Sequence, residues 1–144
     1  RMELVGTIDN NGKQIEVYDD FAHHPTAIET TLDGAKKRFA DNPNRKIWAV
    51  IEPRSNTMKL GTHQGLLAPS ASIADQVIWY QPANLDWSVI DAIGNAANQQ
   101  VMTSTDAIIE HIAAHIGDDD AVIVMSNGGF EGIHGRLVKA LQQG

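Results

Sequence analysis

Residues 18–28, YDDFAHHPTAI, carry the side chains best suited to binding a ligand. Two carboxylates, an aromatic ring and two histidines precede Pro25, where a strand pattern changes to a helix pattern. The first turn of a helix has unpaired N–H groups and a partial positive charge, which suit a phosphate. Asp20 can accept from a ribose diol, and His23 can donate to a phosphate oxygen. The residues fit a nucleotide or phosphate site, but their composition alone slightly favours an ordinary acidic turn with Pro25 as the first helical residue.

A second polar segment, residues 52–59 (EPRSNTMK), follows the apolar run KIWAVI. Arg54 can hold a carboxylate through two hydrogen bonds, and Lys59 adds a positive charge. Glu52 could contact a ligand or place a negative charge at a helix start. An exposed loop that leads into a helix explains the same residues, so both interpretations stay open.

A third segment, residues 126–135 (SNGGFEGIHG), follows the apolar run AVIVM. Its glycines let the backbone approach a ligand closely, and Ser126, Asn127 and His134 add polar side chains. The spacing matches neither the dinucleotide fingerprint nor the phosphate-binding loop GxxxxGK[ST]. Tight helix packing is an alternative explanation for the glycines, and His134 could be an ordinary structural histidine.

Other polar clusters carry less information. His23 and His24 lie beside two aspartates, but adjacent histidines chelate one ion poorly and no third ligand recurs at a suitable spacing. We therefore predict no metal site in this chain. The run Asp118, Asp119 and Asp120 is predicted to be a solvated turn before a strand.

Composition excludes several classes of function. A chain of 144 residues with 42% hydrophobic residues is expected to form one domain with a sizeable core. Its net charge of −7 argues against a nucleic-acid partner, and no apolar run approaches the roughly 20 residues that span a membrane. The absence of cysteine excludes disulfides and thiol catalysis, and it fits a cytoplasmic location. Because the chain starts with Arg1, we expect it to be a fragment of a longer protein.

Apolar periodicity predicts the elements that position these segments. Strands are predicted at residues 3–9, 14–19, 46–51, 76–80, 101–103 and 121–125. Helices are predicted from Pro25 and at residues 86–98, 105–116 (ended by Gly117) and 133–142. The alternation indicates an α/β fold, Rossmann-like, with a mostly parallel sheet, helices on both faces and an N-terminal β-hairpin. Ligands of such sheets bind at the carboxyl ends of the strands, where the three polar segments and a fourth, YQP at residues 80–82, are expected to meet.

The three segments together resemble the Mur ligase family. DDFAHHPTAI is similar to the family's D-[YF]-A-H-x-P nucleotide motif, and EPRSNTMKLG and SNGGFEGIHGRL resemble segments of its muramate-specific branch. The opening RMELVG resembles the end of the family's central domain. The resemblance covers the whole chain and implies that residues 1–144 are the C-terminal domain of a three-domain enzyme. The N-terminal UDP-binding domain and the central ATPase domain would be absent, so the chain alone is expected to be inactive.

The resemblance implies an ATP-dependent ligase of peptidoglycan recycling, with magnesium ligands in the missing central domain. Its substrates would be UDP-N-acetylmuramate and the murein tripeptide L-Ala-γ-D-Glu-meso-diaminopimelate. Its other partner would be the rest of the same polypeptide. Two alternatives stay open: a UDP-N-acetylmuramate–L-alanine ligase, and a non-enzymatic module that binds a nucleotide or phosphate. By the same resemblance, the nucleotide contacts are Asp20, His23 and Arg1. The peptide contacts are expected to be Arg54, Lys59, Ser126, Asn127 and His134.

Overall fold

The computed structural model describes residues 2–9, 11–53 and 64–143. Its strands are β1 (Glu3–Ile8), β2 (Ile15–Asp20), β3 (Ile47–Ile51), β4 (Gln76–Tyr80), β5 (Gln99–Met102) and β6 (Ala121–Met125). Its helices are α1 (Pro25–Arg38), α2 (Leu67–Ser70), α3 (Val89–Ile93), α4 (Thr105–His115) and α5 (Ile133–Gln143). Short 3₁₀ turns at Gln64–Leu66 and Phe130–Gly132 precede α2 and α5.

The described strands form one sheet in the order β1-β2-β6-β3-β4-β5. β1 pairs antiparallel with β2, and every other neighbouring pair is parallel. All residues of β3 and β6 are buried, as expected for parallel strands covered on both faces. The predicted fold class, a mostly parallel sheet with an N-terminal hairpin, is confirmed.

Helices cover both faces of the sheet and form two separate cores. α1, α2 and α3 pack with Ala49 and Ile51 of β3, whereas α4 and α5 pack with Trp48 and Val50 of the same strand. Successive residues of a strand point to opposite faces, so one continuous apolar run supplies both cores.

Helix α1 forms where the sequence predicts it. Pro25 occupies the start of the helix, and Ile28, Leu32 and Ala35 form its buried stripe. Three basic residues, Lys36, Lys37 and Arg38, lie in the last turn, where they complement the helix dipole. This packing fixes the direction in which residues 21–24 leave the sheet.

The β1 edge contains an irregularity. The pairing register with β2 shifts between Leu4 and Gly6, which is a β-bulge. A Cβ atom on Gly6 would lie 3.0 Å from Val138 of α5, so glycine allows the helix to pack closely on this strand.

The third helix is shorter than predicted. The prediction of a helix over residues 86–98 is wrong, because α3 comprises only Val89–Ile93. The hydroxyl of Ser88 caps its start by accepting from the N–H of Asp91, and Gly94, with φ of 62°, ends it. β5 then begins at Gln99, two residues earlier than predicted.

The interpretation of Asp120 as part of a solvated turn is also wrong. Its carboxylate is buried and accepts from Trp48 Nε1 at 2.9 Å and from the N–H groups of Lys46 at 3.2 Å and Gly117 at 2.8 Å. Helix α4 ends at His115, before the predicted stop. Gly117 instead allows a close approach, since a Cβ there would lie 3.2 Å from the Asp120 oxygens.

Within the described ranges, no helix combines the length and apolar character that a membrane crossing requires.

Candidate ligand edge

The carboxyl ends of β2, β6, β3 and β4 form one edge of the sheet, which we call the ligand edge. Met125 at the end of β6 pairs with Asp20 of β2 on one side and Ile51 of β3 on the other. The ladder extends one step further, since Ser126 N–H donates to the Asp20 carbonyl at 3.0 Å and Glu52 N–H donates to the Met125 carbonyl at 2.9 Å. The prediction that the polar segments begin at one edge is therefore confirmed.

Asp20 is the last residue of β2 and is buried. Its Oδ1 accepts from the N–H of Ala22 at 2.8 Å and from the hydroxyl of Thr31 at 3.3 Å. These bonds hold the carboxylate in one orientation and turn the chain out of the sheet, so that the side chain of Phe21 is 74% exposed. The ribose-binding role of Asp20 stays a prediction.

His23 and Asn127, which lie 104 residues apart in the sequence, are neighbours at this edge. His23 Nδ1 is 2.9 Å from the carbonyl oxygen of Phe21, and because a carbonyl can only accept, Nδ1 carries the hydrogen. Nε2 lies 3.4 Å from Nδ2 of Asn127, which donates to it in the neutral tautomer. The imidazole ring also packs against that of His24, with centroids 4.1 Å apart and the ring planes tilted by 42°. Consequently Nε2 can donate to a ligand only when the ring is protonated.

Ser126 connects the loops that follow β3 and β6. Its buried hydroxyl donates to Glu52 Oε1 at 2.5 Å and accepts from the N–H of Gly128 at 3.0 Å. Glu52, whose role the sequence left open, is therefore part of the edge as a hydrogen-bond acceptor. The role of Ser126 as a peptide donor stays a prediction, and it would require Ser126 to release Glu52.

A second set of bonds fixes the far end of residues 126–132. The carboxylate of Glu131 accepts from the hydroxyls of Thr105 at 2.9 Å and Tyr80 at 3.2 Å. Arg136 donates to the Glu131 carbonyl at 3.2 Å and to Thr105 Oγ1 at 2.9 Å. Burial, followed by the charge of Glu131, raises the pKa of Tyr80, so its phenol stays a neutral donor.

The same segment has an unusual backbone. Phe130, Glu131 and Gly132 have φ angles of 47°, 53° and 65°, which is three left-handed residues in succession. Only the last is glycine, the residue that adopts this conformation without steric cost. The ring of Phe130 is buried 5.1 Å from the ring of Tyr80, and together with the Glu131 bonds it holds the turn in place. Phe and Glu carry no sequence signal for positive φ, so sequence reasoning missed the roles of Glu131 and Tyr80.

The remaining candidates are less connected. His134 lies in the first turn of α5, where its Nδ1 is buried without a hydrogen-bond partner among the described residues. Arg1, Arg54 and Lys59 lie outside the described residues, and their roles stay predictions. Over the ranges 2–9, 11–53 and 64–143, no group of three or more histidine and acidic side chains is placed to hold a metal ion.

Comparison with known proteins identifies the family. A family model described as "Mur ligase, glutamate ligase domain" matches residues 1–128. The chain belongs to the Mur ligase family. It is 43% identical over 143 residues to the Escherichia coli UDP-N-acetylmuramate–L-alanyl-γ-D-glutamyl-meso-2,6-diaminoheptandioate ligase. The aligned residues are 98% of this chain but only 30% of that protein. The chain thus spans about a third of the length of this relative.

Solved structures of Mur ligases have the same fold. The murein peptide ligase of Psychrobacter arcticus superposes with a TM-score of 0.85 at 53% identity, over 98% of this chain and 29% of that one. A domain from a putative ligase of Haemophilus ducreyi, named for the same muramate and peptide, gives a TM-score of 0.78 at 36% identity. It covers 98% of this chain and 99% of the solved one, so a domain of this extent crystallised separately from the rest of its protein. Members of the family are ATP-dependent amide ligases that use Mg²⁺.

Proposed function

We propose that this chain is the C-terminal domain of an ATP-dependent ligase that joins UDP-N-acetylmuramate to L-alanyl-γ-D-glutamyl-meso-2,6-diaminoheptandioate. The observation that carries the proposal is the 43% identity to the E. coli ligase of that name over 98% of the chain. The complete protein would contain two further domains, with the phosphate-binding loop and the magnesium ligands in the central one. The domain described here would be inactive alone.

In the proposed reaction, ATP phosphorylates the lactyl carboxylate of the muramate. The alanyl amine of the peptide then attacks the acyl phosphate, so that a C–N bond forms while phosphate leaves. The contribution of this domain is to hold the nucleotide and orient the amine, which lowers the entropic part of the barrier.

The nucleotide part of the proposal assigns Asp20 to the ribose and His23 to a phosphate, with Arg1 as a further nucleotide contact. The Asp20 carboxylate is already oriented by Ala22 and Thr31, which favours a defined acceptor position. Since Nδ1 of His23 donates to a backbone carbonyl, its Nε2 would donate to phosphate as an imidazolium, and Asn127 would lose its acceptor.

The peptide part assigns the substrate carboxylates to the polar groups further along the edge. These are Arg54, Lys59, Ser126, Asn127 and His134. The exposed position of Asn127 next to His23 supports this arrangement, because the nucleotide and peptide groups would then meet where the amide forms. Arg54 is the primary candidate, since a guanidinium can bind a carboxylate through two hydrogen bonds.

A ligation assay on the full-length protein tests the function. The protein is supplied with Mg-ATP and UDP-N-acetylmuramate, and with either the tripeptide or free L-alanine, and the amide product is detected by mass. We expect product from the tripeptide alone. Product from L-alanine alone would assign the chain to the L-alanine ligases, and no product from either would favour a binding module without enzymatic activity.

Two substitutions in the full-length protein test the residue assignments. His23→Ala should lower kcat/KM for ATP by at least about tenfold, in line with the loss of a charged hydrogen bond. The matched control is His115→Ala, an exposed histidine at the end of α4. An unchanged ATP dependence in His23→Ala would remove the phosphate role. Likewise, Arg54→Ala should raise KM for the tripeptide, and an unchanged KM would show that Arg54 does not bind it.

A further inference from the structure

A pocket of about 550 Å³ lies beyond the ends of β4 and β5, next to the ligand edge. We call it the distal pocket, and its lining includes Gln81, Leu85, Trp87, Ile90, Val101 and Thr103. None of these residues belongs to the segments that carry the proposed nucleotide and peptide contacts. The volume is in the range of natural small-molecule sites.

The wall of the distal pocket is held by specific contacts. The side-chain carbonyl of Gln81 accepts from the N–H of Val89 at 2.7 Å, and its amide group donates to the carbonyl of Trp87 at 3.0 Å. Gln81 is the first residue after β4, so it attaches the loop over residues 82–88 to the end of the strand. Leu85, Trp87 and Val101 also pack on the core below. These contacts hold one wall of the pocket in place.

The chemistry of the lining is mainly apolar with a polar rim. Leu85, Trp87, Ile90 and Val101 provide hydrocarbon surface. Thr103 and Ser88 add hydroxyl groups, and Asp86 adds a carboxylate. Ile90 is 61% exposed, which is high for a large aliphatic side chain. A ligand with an aliphatic stem and a polar end would cover this surface and keep its polar groups at the rim.

Position along the sheet indicates which ligand this is. Neighbouring strands lie about 4.8 Å apart, and the order in this part of the sheet is β6-β3-β4-β5. The space between β4 and β5 is therefore about 12 Å from β6, the strand that leads to Asn127. An extended chain advances about 3.4 Å per residue, which gives about 10 Å for three residues, and the γ linkage of the glutamyl residue adds two further carbon atoms to that span. A peptide whose reacting amine lies beside His23 and Asn127 would therefore bring its third residue to the distal pocket.

We infer that the distal pocket binds the side chain of the third residue of the peptide substrate. This inference rests on the proposed function. The third residue in the name of the E. coli relative is a diaminoheptandioate, a chain with an aliphatic stem and a charged end. Its stem would lie against Leu85, Ile90 and Val101, and its far end, which carries an ammonium and a carboxylate, would reach the rim at Thr103 and Asp86.

Kinetics with two peptides test the inference in the full-length protein. The acceptors are the tripeptide and the dipeptide L-Ala-γ-D-Glu, which lacks the third residue. Thr103→Phe fills the pocket, and Ile90→Ser removes part of its apolar wall; both positions are exposed, so both variants should fold. The control is Leu66→Ser, which changes an aliphatic side chain that is 52% exposed and outside the lining.

We expect both pocket variants to raise KM for the tripeptide about tenfold or more, the usual effect of altering an apolar subsite, and to leave KM for the dipeptide and ATP unchanged. The control should match the wild type with every substrate. If the wild type joins the tripeptide but the variants affect both peptides equally, or neither, the pocket inference is wrong and the proposed function stands. A wild type that joins neither peptide would overturn both.

Discussion

Substitutions of Glu131 test whether tertiary contacts hold the left-handed turn at residues 130–132. In Glu131→Ala the backbone strain remains, while the bonds to Thr105 and Tyr80 are lost. Because Glu131 is exposed, we expect a loss of about 1–2 kcal/mol in the free energy of unfolding for the two bonds.

Glu131→Gly loses the same bonds but removes the strain. A residue with a Cβ pays about 1–2 kcal/mol for left-handed φ, whereas glycine costs about 0.5–1 kcal/mol relative to alanine through the unfolded chain. The difference should leave Glu131→Gly about 0.5–1 kcal/mol more stable than Glu131→Ala. At a right-handed helical position the order would be reversed.

The assay is urea unfolding of the isolated domain, followed by tryptophan fluorescence. This domain is suitable because its counterpart from H. ducreyi crystallised separately. The matched control is the same pair of substitutions at Lys139, an exposed position inside α5, where alanine should be the more stable. If alanine were also the more stable at Glu131, the left-handed turn would not be the source of strain in the native domain.

Three further predictions concern stability. Asp120→Ala should cost about 3–5 kcal/mol, because it leaves the buried indole N–H of Trp48 and two backbone N–H groups without an acceptor; a loss below about 1 kcal/mol in urea would contradict this. Burial, and then the hydrogen bond to Glu16, raises the pKa of Tyr18 to about 12. The contribution of Tyr18 to the free energy of unfolding is therefore complete below about pH 10 and is lost as the pH rises towards 12. Tyr18→Phe should flatten that alkaline decline, and an unchanged decline would show that another group causes it. Burial, and then the neighbouring imidazole of His115, lowers the pKa of His111. The contribution of His111 to the free energy of unfolding is therefore present above about pH 6.5 and is lost as the pH falls below that value. A His111→Gln domain whose stability has the same acid dependence would refute this.

Local periodicity was enough to predict the central sheet and α1. The short, fully apolar runs of β3 and β6 are typical of strands buried on both faces, and Pro25 marks the start of α1. The proximity of His23 and Asn127 followed from topology, because the carboxyl ends of adjacent parallel strands meet. Much of the ligand edge was therefore predictable from the amino-acid sequence alone.

The features that the sequence did not predict depend on distant partners. Asp120 is buried because it bonds to Trp48, 72 residues earlier in the chain, and nothing near Asp120 shows this. Glu131 adopts positive φ because Tyr80 and Thr105 hold its carboxylate, 51 and 26 residues away. The shortened α3 has a local cause, Gly94, which the helical pattern around it concealed.

The bulge in β1 governs how the outer rim of the sheet meets other molecules. A regular edge strand presents evenly spaced N–H and C=O groups on which a further strand can assemble, and this is a common route to aggregation. The register shift between Leu4 and Gly6 breaks that spacing, and at the opposite rim β5 is only four residues long. Both rims are thus poor templates for strand addition. We therefore expect the domain to resist aggregation when it is produced apart from the rest of its protein.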